Sequence, residues 1–145
     1  MSNLSWFTTD HPLDRDAIEA SLRKHTQARF GELVVVTRES PHYWNVDVPA
    51  ALSMVSVALA SQRKVTLNPG GMLWSDYLEW FVCDHLAAEF GGTCGGEFDD
   101  DAHWQPDPSK YSTFESFLRR RVIIAHRDLD DGERAYIQSL PEVLR

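Results

Sequence analysis

Residues 49–62, which read PAALSMVSVALASQ, decide between two possible folds for the first half of this chain. Leu52, Val55 and Leu59 recur at the spacing of one helix face, and Pro49 is acceptable at a first helical position. The inner run Met54–Leu59 also has the β-branched character of a strand. We predict a helix over 49–62 and keep a strand as the alternative.

The segments around this stretch alternate between strand and helix patterns. Runs of β-branched and aromatic residues predict the strands. The helix predicted between the first two strands has acidic residues in its first turn and a glycine after its last turn, as helix ends favour. The predicted elements are a strand at Leu4–Thr9, a helix at Asp14–Arg29 ended by Gly31, a hairpin of Glu32–Arg38 and Tyr43–Val48 joined by residues 39–42, and a strand at Lys64–Leu67 ended by a turn at Asn68–Gly71. A helix at 49–62 gives the ferredoxin-like order βαββαβ, whereas a strand gives a four-stranded meander beside one helix.

The second half is predicted to be mostly helical. Trp74–Phe90 has an apolar face and ends at Gly91-Gly92, whereas Thr93–Lys110 is acidic and irregular. A capping-box pattern at Ser112–Glu115 opens a helix to about His126, and Asp130 begins a last helix that runs through Leu140. The sequence therefore predicts one α+β domain over residues 1–145, in which amphipathic helices pack on an antiparallel sheet.

The charge balance limits the classes of partner. The chain has 145 residues with 22 Asp and Glu against 14 Lys and Arg, a formal net charge of −8. Phosphate backbones and anionic membrane surfaces need a basic face, so we expect neither nucleic acid nor a membrane as a direct partner. The same balance favours a basic protein partner.

The predicted compartment is the cytoplasm. The first residues, Met1–Trp6, lack the basic and apolar regions of a secretory signal, and no apolar run is long enough for a membrane span. The two cysteines, Cys83 and Cys94, are too few for a disulfide framework.

The richest candidate site is an acidic and aromatic stretch near residue 100. Its candidate binding residues are Glu97, Phe98, Asp99, Asp100, Asp101, His103 and Trp104. Carboxylates would match a basic partner and the aromatic rings would supply apolar anchors. The alternatives are a solvated acidic loop whose rings fold back onto the core, and a site for a hard cation. The calcium-loop pattern fails, because Trp104 and Lys110 stand where glycine and glutamate are needed.

Catalytic signatures are absent from the sequence. Neither CxxC, HExxH nor GxSxG occurs, and the glycine-rich residues 91–96 follow a helix instead of preceding one, unlike a phosphate loop. Cys83, Asp84 and His85 are adjacent on a helix, so their side chains fan out by about 100° each and do not converge on one point. We expect no cofactor and no metal, and we favour a protein that is not an enzyme.

The expected function is that of a non-catalytic, acidic protein-binding module that neutralises or regulates a basic protein. In size, acidity and lack of a catalytic signature the chain resembles small adaptor and toxin-immunity proteins, a similarity that rests on no shared motif. The alternative is a small-molecule-binding protein or enzyme with a pocket between the sheet and the Trp74–Phe90 helix, using His85, His103 and a carboxylate. A homodimer is a third alternative.

Overall fold

A computed structural model describes residues 4–96, 103–120 and 130–145. The strands are β1 (Ser5–Thr8), β2 (Val35–Ser40), β3 (Tyr43–Val48), β4 (Ser53–Ser61), β5 (Lys64–Gly71), β6 (Thr93–Gly96) and β7 (His103–Trp104). The helices are α1 (Arg15–Phe30), α2 (Trp74–Phe90), α3 (Phe114–Arg120) and α4 (Asp131–Ser139). None of the described helices combines the length and the apolar character that crossing a membrane requires.

The strands form one antiparallel sheet in the order β2-β3-β4-β5-β1-β6-β7. Strands β2 to β5 are a meander, and β1 pairs on the far side of β5 and then with β6. The sheet and the helices packed against it confirm the predicted α+β class.

The predicted helix over residues 49–62, and with it the ferredoxin-like order, is wrong. Pro49–Ala51 forms one 3₁₀ turn, Leu52 has a positive φ of 52°, and β4 follows. Val55 and Val57 are fully buried and alternate with half-buried neighbours, which is the period of a strand that packs one face on a core. They pair with Val46 of β3 and Leu67 of β5, so neighbouring strands on both sides select the extended conformation.

Strand β5 also continues through Asn68–Gly71, where the sequence predicted a turn. Pro69 pairs with Val55 of β4, and the described part of β1 pairs with residues 64–67 of β5. Likewise β2 extends to Ser40, which shortens the predicted four-residue hairpin connection to Pro41-His42.

The core lies between one face of the sheet and the helices. Alternating strand residues are buried on that face, and an aromatic cluster from α1, α2 and α3 covers them: Phe30, Trp74, Tyr77, Phe81, Phe114 and Phe117. The indole Nε1 of Trp74 donates to the carbonyl of Leu144 over 2.9 Å, so the end of the chain is part of this core.

The C-terminal part is helical, as predicted. Asp130 and Glu133 form the capping box of α4. Thr113, one residue later than the predicted Ser112, caps α3, because its Oγ1 accepts from the N–H of Ser116 over 3.0 Å. The predicted continuation of this helix to His126 falls outside the described residues.

Candidate functional site

The acidic stretch singled out in the sequence joins β6 to β7. Residues 97–102, here called the acidic connection, include Glu97, Phe98, Asp99, Asp100 and Asp101, and they lie outside the described residues. The backbone on either side is fixed by pairing, with Gly95 opposite His103 and Cys94 opposite Trp104. The side chain of His103 also lies outside the described part of the chain.

The glycine-rich residues before the acidic connection form a strand, not the expected loop entry. Gly91 ends α2 with a positive φ of 75°, a conformation that favours glycine. A Cβ at Gly92 would lie 2.9 Å from both Phe7 Cδ2 and Thr8 O, so only glycine fits where the chain turns back against β1. Cys94 is a fully buried residue of β6.

Trp104, which follows the acidic connection, points toward α2. Its ring stacks on Trp80 with centroids 4.2 Å apart and planes 15° apart. Its Nε1 donates to Oδ1 of Asp84 over 2.8 Å. For this half-buried residue, the contacts are those expected of an aromatic ring that folds back onto the core. Its role as a partner's anchor stays a prediction.

Asp84 contacts residues that precede and residues that follow the acidic connection. The side chain is fully buried, and besides Trp104 it accepts from the backbone N–H of Asp107, which lies 2.7 Å from Oδ2. On the other side, Cys94 Sγ lies 3.8 Å from Oδ1. Burial raises the pKa of the Asp84 carboxyl, and the hydrogen bonds from Trp104 and Asp107 oppose that rise. We call this set of contacts the Asp84 anchor.

Cys83 completes a buried cluster around Cys94. Its Sγ lies 3.8 Å from Cys94 Sγ and 3.6 Å from the carbonyl oxygen of Trp6. Burial, followed by the hydrogen bond with Cys94, raises the pKa of the Cys83 thiol well above its usual range. Among the described residues, Cys83, Asp84 and Cys94 are the group whose potential ligand atoms all lie within 4.8 Å of one another.

The expectation that Cys83 and Asp84 do not converge on one point is wrong, because their ligand atoms lie within 4.8 Å of each other and of Cys94 Sγ. His85 diverges from both, as expected from the helix geometry. The convergence comes from Cys94 of β6, which lies against both Cys83 and Asp84. The available signal was a carboxylate at position 84 within the apolar run Phe81–Leu86, where a charged group requires buried partners.

His85 lies on a different side of α2, against α1. Its ring centroid is 4.6 Å from that of His25 and 4.3 Å from that of Phe81. Burial lowers the pKa of His85 to about 4. Burial also lowers the pKa of His25, although Glu89, whose Oε2 lies 3.6 Å from His25 Nε2, partly offsets the effect. The His85 ring is therefore neutral at pH 7, and burial favours the neutral form of His25 as well.

The interface between α2 and the sheet, where the sequence allowed a pocket, is filled by buried side chains. They are Trp74, Tyr77, Leu78, Phe81 and Val82, together with the valines of the sheet. In the described residues an open groove of about 450 Å³ lies elsewhere, between the start of α1 and the β4–β5 hairpin, where Asp14, His42 and Gln62 are among its lining residues. The geometry therefore gives the pocket hypothesis no support at this interface.

Comparison with models of protein families, with curated proteins and with solved structures found no match to this chain.

Proposed function

We propose that this protein is a non-catalytic module that binds a basic protein partner through the acidic connection, and that it neutralises or regulates that partner. The observation that supports the proposal most directly is the Asp84 anchor. A buried carboxylate lies against Cys94 on one side of the acidic connection and bonds Trp104 and Asp107 on the other.

Fixed ends reduce the entropy that a binding segment loses. A connection between two paired strands has fewer accessible conformations than a free tail of the same length, so more of the interaction energy remains as affinity.

The chemistry of the acidic connection sets the class of partner. Asp99, Asp100 and Asp101 are consecutive carboxylates in a chain of net charge −8, and such a field speeds the association of a basic surface. Phe98 and the half-buried Trp104 supply apolar contact at the centre of the interface. Masking of a basic active site or of a nucleic-acid-binding groove is the mechanism that follows.

The proposal is tested by affinity capture at low salt from an extract of the source organism, with three forms of the tagged protein. The first is wild type, and the second carries Asp99→Lys, Asp100→Lys and Asp101→Lys. The matched control carries Asp10→Lys, Glu32→Lys and Glu142→Lys, which reverse three exposed carboxylates outside the acidic connection and change the net charge by the same amount.

We expect one basic protein to be retained in stoichiometric amount by the wild type and the control and to be lost from the acidic-connection variant. With the purified partner, the association rate of that variant should fall at least about tenfold at low salt, and the difference should shrink as salt screens the charges. Equal association rates for the two charge-reversal variants, or no retained basic protein, would contradict the proposal.

A further inference from the structure

The buried cluster of Cys83, Asp84 and Cys94 shares the contact between Asp84 and Cys94 with the Asp84 anchor and adds the thiol of Cys83. Two of its side chains come from α2 and one from β6, and all three are fully buried. Two sulfur atoms and a carboxylate oxygen are common ligands of a first-row divalent metal ion.

The distances are those of ligands around one tetrahedral ion. With a Zn–S bond of about 2.3 Å and a Zn–O bond of about 2.1 Å, two sulfur ligands of a tetrahedral site lie about 3.8 Å apart, and a sulfur and an oxygen ligand about 3.6 Å apart. Cys83 Sγ and Cys94 Sγ are 3.8 Å apart, and Cys94 Sγ and Asp84 Oδ1 are also 3.8 Å apart. Two of the three separations are thus close to those required, and the third, between Cys83 Sγ and the Asp84 carboxylate, is at most 4.8 Å.

The surroundings resemble the outer shell of a metal site. The carboxylate of Asp84 is oriented by two donors, the Trp104 Nε1–H and the Asp107 N–H. Such bonds fix the direction of a ligating group and are usual behind metal ligands. The Trp6 carbonyl oxygen, which lies 3.6 Å from Cys83 Sγ, is a further oxygen atom of the kind that can coordinate a metal ion beside the cluster.

From this geometry we infer that Cys83, Asp84 and Cys94 bind one zinc-class divalent ion, which links α2 to strand β6. Binding releases the two thiol protons to solvent, and the two thiolates and the carboxylate then coordinate the ion. Two sulfur ligands favour zinc over magnesium or calcium. The ligands are fully buried and come from α2 and β6, so the ion would hold these two elements together.

The test uses the full chain, reduced, stripped of metal with a chelator and then desalted. Titration with Co²⁺ should produce a thiolate-to-cobalt charge-transfer band that saturates at one equivalent and is abolished by one equivalent of Zn²⁺. The band should be lost in Cys94→Ser. It should remain in the control His11→Asn/His42→Asn, which removes two exposed histidines, the side-chain type that most often binds added metal at a protein surface.

A second measurement on the wild type does not depend on how well a variant folds. Excess free Zn²⁺ should raise the midpoint of thermal unfolding of the reduced protein by about 5 °C or more, because the ion binds only the folded state. Absence of the cobalt band in reduced wild type, or its persistence in Cys94→Ser, would overturn the inference. A purified protein whose unreduced mass is lower by two hydrogens would also overturn it, because the cysteines would then form a disulfide.

Discussion

At the scale of single residues, Asp84 carries the most structural information. A buried carboxylate costs several kcal/mol unless donors replace water, and here those donors are the Trp104 indole and the Asp107 backbone. Both follow the acidic connection in sequence. The Asp84 side chain therefore connects the segment that contains Trp104 and Asp107 to α2.

The first prediction concerns the variant Asp84→Asn. An amide offers one oxygen where the carboxylate offers two, so either Trp104 Nε1–H or Asp107 N–H faces an NH₂ group and loses its acceptor. The free energy of unfolding should fall by about 1–3 kcal/mol, measured by urea unfolding in the presence of a chelator. The control Asp10→Asn, at an exposed position, should change it by less than about 0.5 kcal/mol.

A double-mutant cycle separates this bond from general damage to the core. Trp104→Phe keeps a ring on Trp80 and removes the indole donor. It should therefore cost less in the Asp84→Asn background than in wild type. Full additivity of the two changes, or an Asp84→Asn protein as stable as wild type, would show that the bond contributes little.

At the scale of elements, the contact between α1 and α2 contains two histidines whose pKa values are lowered by burial. His25 of α1 and His85 of α2 are neighbours, and Glu89 of α2 faces His25 and pairs with Lys24 of α1. This interface therefore links proton uptake to helix packing.

The second prediction follows from the lowered pKa of His85. The unfolded chain takes up this proton near pH 6.5, whereas the folded protein takes it up only near pH 4. Because the pKa of His85 is lower in the folded state than in the unfolded state, the contribution of neutral His85 to stability is fully present above about pH 6.5. That contribution is lost as the pH falls toward 4. Between pH 7 and pH 5 the free energy of unfolding should fall by about 2 kcal/mol from this group.

Urea unfolding at the two pH values measures this loss. The pKa of Glu89 is also lowered, but this shift changes the free energy of unfolding only below about pH 4.5, the usual pKa of the group, and so outside the range from pH 5 to pH 7. His85→Gln should reduce the difference between pH 7 and pH 5, whereas His42→Gln, at an exposed position in the β2–β3 connection, should leave it unchanged. An undiminished difference in His85→Gln would assign the effect to other groups.

At the scale of the whole molecule, the C-terminal segment belongs to the same core as α2 and the sheet. Leu144 is fully buried, and its carbonyl accepts from Trp74, 70 residues away in sequence. The hydroxyl of Tyr136 donates to the carbonyl of Ala51 over 2.8 Å. The C-terminal segment is therefore part of the structure that α2 and the sheet require.

The third prediction tests this dependence with two neighbouring residues. Leu144→Ala should lower the free energy of unfolding by about 2–5 kcal/mol, because it leaves a cavity against the aromatic cluster. Val143→Ala should change it by less than about 0.5 kcal/mol, since Val143 is 48% exposed. Both are measured by urea unfolding, and similar losses at the two positions would show that the C-terminal segment packs differently.

The sequence alone determined the elements whose signals are local. α2 begins and ends at the predicted residues because a long apolar pattern is closed by glycine, and the Asp130–Glu133 capping box marks the start of α4. Strand β3 and the α+β class follow from the same kind of pattern, since periodicity, caps and turn residues act within a few positions of the chain.

Only the tertiary structure decided the features that depend on distant partners. Residues 53–61 form a strand because β3 and β5 pair with it on both sides, a choice that a short apolar run does not encode. Asp84 is buried because Cys94, Trp104 and Asp107 meet it from another part of the chain. A buried charge or a central strand is stable only when its partners are in place, and those partners are distant in sequence.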